Sequence, residues 1–139
     1  MHRFPLGRGR WIAAVAAIVI LVGCMPPWYT VGGLVGGLPP YTGNAFEATG
    51  ILVFLAALAT LAFVALPYAA SGPVSWDRWP PYLLLLLVGG AGLGIRAVDL
   101  GSRGMLGLPD RSPGLWIVGV GFILLARATY EIAASADRR

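Results

Sequence analysis

The sequence predicts an all-α fold: a polytopic integral membrane protein whose 139 residues form one unit, a small antiparallel four-helix transmembrane bundle. Two observations carry that reading. Hydrophobic residues make up 58% of the chain and charged residues only 12%, and a water-soluble domain of this size has no interior large enough to hide so much apolar surface. The apolar residues are also gathered into four runs, with spans expected at 10–29, 48–70, 80–98 and 113–133 and the charges lying between them or near their ends.

The first run, Trp11 to Val22, follows a basic tail carrying Arg3, Arg8 and Arg10. As a helix it covers roughly 18 Å, short of a ~30 Å hydrocarbon core. Continuing through Met25 and Pro26-Pro27 to Tyr29 brings it to spanning length, with Trp11 and Trp28 as interfacial aromatics at its two ends. Val31 to Gly43 is rich in Gly and Pro, with a repeated Gly-Gly-Leu at 32–34 and 36–38, and is expected to be an irregular, uncharged loop. Asn44 with Glu47 three positions on has the spacing of a capping box for the second helix.

Ala48 to Ala70 is a stretch of 23 uncharged residues, the strongest span in the chain, with Pro67 expected to kink or end it. The turn from Ser71 to Pro81 carries Asp77 and Arg78, and Trp76 and Trp79 suit interface anchors. The third run opens after Pro80-Pro81 and reaches Val98 if Arg96 extends its guanidinium toward the head groups. After a loop from Asp99 to Ser112, Ser112-Pro113 supplies an N-cap and a first-turn proline for the last helix.

Arginine provides the orientation, since all ten basic residues are Arg. Seven of them fall in the N-tail, the middle turn and the C-terminal segment, against three at the other ends of the spans. Both termini are therefore expected in the cytoplasm, with the chain in a bacterial-type plasma (inner) membrane. Scattered in this way, the same Arg do not make a nucleic-acid face, which would gather them with aromatics on one soluble surface.

Chemistry-bearing motifs are few. The single cysteine, Cys24, and the single histidine, His2, exclude an intramolecular disulfide and the usual His/Cys metal sites. No HExxH or GxSxG occurs, and no carboxylate pair or placed histidine supplies a general base, so neither an enzyme nor a cofactor is expected. No charge falls near the middle of any span, where proton-coupled transporters and voltage sensors keep one; Thr60 is the polar side chain deep in the second helix.

Three groups remain as candidate sites. Gly90 and Gly94 form a GxxxG, with Gly89 and Gly92 beside them, and offer a surface for close helix packing, inside the bundle or against another chain. Glu47, Arg96, Asp99 and Arg103, with Asp110 and Arg111, should lie at one outer level as a charged cluster. It would serve either as a vestibule for an ion or an anionic head group, or as head-group-level charges that pair with one another. Leu21-Val22-Gly23-Cys24, after a basic n-region and an apolar stretch of 12 residues, resembles the lipobox of bacterial lipoprotein signal peptides over residues 1–24. That resemblance implies cleavage before Cys24 and lipidation of it; the alternative is a retained helix with a buried thiol.

The expected function is that of a non-catalytic scaffold or accessory subunit acting through helix–helix contacts. Its partners would be the lipid bilayer and either a further copy of the chain or another membrane protein. The alternative is an oligomeric channel or small transporter.

Overall fold

The computed structural model describes residues 7–33, 37, 39–70 and 78–138. The N-tail with His2 and Arg3, the loop residue Gly36, Trp76 and Asp77 of the middle turn, and Arg139 lie outside the described residues. Four helices dominate: α1 (Arg8–Gly23), α2 (Gly50–Ala69), α3 (Trp79–Ser102) and α4 (Pro113–Asp137). Between α1 and α2 lie two short strands, β1 (Tyr29–Val31) and β2 (Tyr41–Gly43). Three helices, α2, α3 and α4, are long and apolar enough to cross a membrane.

The first helix departs from the expected 10–29 span. With 16 residues it rises about 24 Å, because its hydrogen-bond ladder closes at Cys24 and the next positions, Pro26 and Pro27, have no N–H with which to extend it. The chain then turns back. The Trp28 indole donates to the Gly23 carbonyl at 3.0 Å and its backbone N–H to Gly43 at 2.7 Å, so the aromatic expected at an interface is instead fully buried.

The expected irregular loop from Val31 to Gly43 is bounded by an antiparallel pairing of Tyr29 with Gly43, Thr30 with Thr42 and Val31 with Tyr41. Gly32 and Gly33, at φ of 80° and 79°, turn the chain out of β1 in a conformation that glycine adopts without strain.

The capping box is not formed. Asn44 accepts from the Phe46 N–H in a local turn, α2 starts at Gly50 with no side-chain cap bond, and Glu47 is engaged elsewhere. At its other end, α2 takes Pro67 into its last turn and closes two residues later at Ala69. Both later helices outrun their expected ends at 98 and 133. Charges at helical spacing, Arg96 with Asp99 and Arg127 with Glu131, bond along the helix rather than ending it. Ser112, expected as a cap, accepts from the Gly107 N–H and braces the α3–α4 loop.

The helices form a closed up-down-up-down ring in which α1 packs on α4 and α2, and α3 on α2 and α4. Small residues set the approach. Gly9 lies against Ile132, Gly23 against Ile117 and Val118, and Gly121 against Ile20, so α1 runs antiparallel along α4 for nearly its whole length. On the other side Gly89 meets Ala56 and Phe122, and Gly92 meets Leu52. The Thr49 hydroxyl donates to the Gly92 carbonyl at 3.1 Å.

The core is Ala13, Ala16, Ile20, Val53, Ala57, Val118, Phe122 and Leu125, continued upward by Cys24, Trp28 and Ala45. Thr60 and Thr129, both buried, donate to their own helices at Ala56 and Leu125, each at 2.8 Å, and so need no partner across the bundle.

Candidate functional site: the charged cluster under the hairpin

All four candidate cluster residues meet at the hairpin end of the bundle. Arg96 follows Gly89 and Gly92 on the inward face of α3, one turn beyond the level at which α2 begins, and is 7% exposed. One of its terminal nitrogens donates to Asp99 at 3.0 Å and the other to Glu47 at 3.2 Å, while its Nε has no hydrogen-bond partner among the described residues. Asp99 uses its second oxygen to accept from Arg103 Nε at 3.0 Å. Formal charges in the group cancel, so it offers no surplus attraction for an anion.

Burial separates the members. The side chains of Glu47, Asp99 and Arg103 are 42%, 33% and 63% exposed, so the pairing of Asp99 with Arg103 resembles an ordinary surface pair that contributes about 0–1 kcal/mol. Arg96 is different: a cation out of water needs its countercharges, and loss of one partner costs more than an exposed pair is worth.

The sequence reading missed Tyr29, which sits on β1 with its ring 5.7 Å from the Arg96 guanidinium carbon. Its hydroxyl donates to the same Glu47 oxygen that receives Arg96, at 2.9 Å. Burial, followed by the hydrogen bond to Glu47, pushes the Tyr29 phenol up to about 12. The Tyr41 ring of β2 lies beside it, tilted by 43° with ring centres 6.0 Å apart. A signal for these residues was present, since Tyr-Thr occurs at both 29–30 and 41–42 and such residues favour strands.

Arg111 and Asp110 stay outside the cluster. Arg111 donates to the Gly32 carbonyl at 2.6 Å, and its own carbonyl accepts from the Thr30 hydroxyl at 2.8 Å, which ties β1 to the loop before α4; Asp110 is exposed. A shallow cleft of about 150 Å³ opens between Met25 and Pro27 on one side and Thr42, Gly43, Asn44 and Glu47 on the other. Cys24 lies fully buried beside that segment. Among the described residues, no group of three or more His, Cys, Asp or Glu side chains is placed to hold a metal ion.

The GxxxG candidates fall on the other face of α3. A side chain at Gly90 or Gly94 would meet none of the described residues within 4 Å, so packing inside the bundle is the work of Gly89 and Gly92, and the expected pair points outward. Leu84, Leu87, Ile95 and Val98 are exposed on the same helix.

Comparison with protein-family models, curated proteins and solved structures finds no match for the chain.

Proposed function

We propose that the chain is a four-span protein of a bacterial-type plasma membrane, with both termini cytoplasmic. In this reading it acts as a non-catalytic scaffold or accessory subunit through helix–helix contacts made by the outward face of α3. The observation that carries the reading is the open pair Gly90 and Gly94. Two glycines in the middle of an apolar helix disfavour it by roughly 1 kcal/mol each relative to alanine, and no contact within the bundle repays that. A second helix against the pair would, because close approach of backbones is the main source of packing energy between helices in lipid.

The fourth span rests on α1, which is short but not isolated. Its contacts from Gly9 to Gly23 run level with α4 from Ile132 to Ile117, so a bilayer that contains α4 also contains α1. Cys24 is held in this arrangement as a packed thiol, which favours retention of α1 over cleavage and lipidation. A pore through the monomer is disfavoured by a middle filled with Ala, Val, Leu and Phe side chains.

A photoreactive side chain in place of Leu87 on α3, compared with one in place of Ile123 on α4, tests the contact in native membranes. Both positions are well exposed, at 61% and 71%. Polypeptide adducts are expected from position 87 only, and they should vanish in the Gly90→Ile/Gly94→Ile variant. Lipid adducts alone from both positions would overturn the reading. The mass of any adduct distinguishes a second copy from another protein.

A further inference from the structure

We propose that Arg96, Glu47 and Asp99 form an acid-releasable latch that holds the hairpin end of the bundle closed over Cys24. The chemistry follows from where each charge resides. Arg96 belongs to α3 and is buried, whereas Glu47 belongs to the segment joining the hairpin to α2, so their 3.2 Å contact spans two parts of the chain. Tyr29 of β1 donates to the same carboxylate, which makes Glu47 the point at which the hairpin is fastened to α3.

The guanidinium keeps its proton throughout the ordinary pH range, and the carboxylates do not keep their charge. Acid that neutralises Glu47 and Asp99 leaves a cation in a dry site with no countercharge, and the simplest relief is for the hairpin to lift and admit water. The groups facing Arg96 are Glu47 from the α2 approach, Asp99 on α3 and the Tyr29 phenol on β1. Around these stand Arg103 on Asp99, Tyr41 of β2 against Tyr29, and Arg111 on the Gly32 carbonyl. Arg103 adds a second cation to the cluster once the carboxylates are neutral, whereas the Arg111 bond to Gly32 holds the far edge of the hairpin at either pH and serves as its hinge.

Glu47 also forms a wall of the cleft bordered by Met25 and Pro27, and Met25 adjoins the fully buried Cys24 in the chain, so release of the latch is expected to expose that thiol. That gives a direct readout, because Cys24 is the only thiol in the chain.

The purified full-length protein in detergent is treated with a pyridyl disulfide reagent, which reacts with thiols in acid as well as at neutral pH. Its rate is normalised to the denatured protein at the same pH. Between about pH 7.5 and about pH 3 the normalised rate for the wild type is expected to rise about tenfold, a modest factor because both carboxylates are partly wet. Helix content by circular dichroism should hold. Glu47→Gln/Asp99→Asn should react at the faster rate already at neutral pH, and Arg96→Met should be slow at both values.

An unchanged wild-type rate, a slow double variant, or an Arg96→Met protein that still responds to acid would each overturn the latch. If Arg96→Met does not fold, the double variant at neutral pH decides.

Discussion

The waist of the bundle and its hairpin end are held together in opposite ways. At the waist, α1 and α4 approach where Gly121 meets Ala16 and Ile20, and the buried hydroxyls of Thr60 and Thr129 turn back on their own helices. The attraction there is dispersion between close backbones, which depends on side chains being absent. At the hairpin end the chain is irregular and exposes backbone groups. Stability there comes from saturating them: Trp28 on Gly23, Thr30 on Arg111, Trp116 on Gly107, and the clip of Glu47 and Arg96. The waist therefore tolerates no added volume, and the hairpin end tolerates no lost partner.

The sharpest test of that contrast is at the waist. A side chain at Gly121 would run into Ile20 and the Ala16 carbonyl, backbone included, so Gly121→Val should cost about 2–3 kcal/mol and separate α1 from α4. Unfolding in a graded series of denaturing detergent, followed by circular dichroism, measures it. A Gly121→Val protein as stable as the wild type would mean that the α1–α4 approach is looser than these contacts require.

A smaller effect is expected at the hairpin end from Tyr29→Phe, which removes one hydrogen bond to Glu47 and should cost about 1 kcal/mol at neutral pH. The pH dependence has a definite sign. The Tyr29 phenol titrates at about 12 in the folded protein against an ordinary value of 10.0, so the unfolded chain loses that proton first. The stability it contributes is whole below the ordinary value and disappears as pH rises through the raised one. Unfolding curves from about pH 9 to about pH 12 should therefore show an alkaline loss in the wild type that is reduced in the Phe variant. Parallel curves for the two proteins would detach Tyr29 from the cluster.

The two regions also differ in how far the sequence discloses them. The long helices are legible because uncharged apolar runs have little alternative in lipid, and 48–70 matches Gly50–Ala69 within two residues. Their outer ends are misread where a charge is taken as a boundary, since Arg96 and Asp99 are spaced to bond along one helix. The hairpin end is harder. Pro26-Pro27 reads equally as a kink within a span or as its end, and the Gly-rich segment hides the two Tyr-Thr pairs that make the strands. The charged cluster is foreseen as a common level, but its geometry depends on Tyr29, which only the hairpin brings to Glu47. Which glycine faces inward is not legible at all, because a helix apolar on every side has no amphipathic stripe to orient it.

That last ambiguity gives the smallest effect and the most discriminating one, since the sign rather than the size decides. Gly89 and Gly90 are neighbours in sequence, yet a methyl group on the first meets Phe122 and Ala56 and on the second meets nothing. Gly90→Ala and Gly94→Ala should each stabilise the isolated bundle by about 0.5–1 kcal/mol, the ordinary helix preference of alanine, while weakening whatever contact the α3 face makes. Stability in detergent and cross-linking from position 87 should move in opposite directions. If both rise together, the open glycines are not a contact surface and α3 faces lipid alone; if stability falls, the face is already occupied within the bundle.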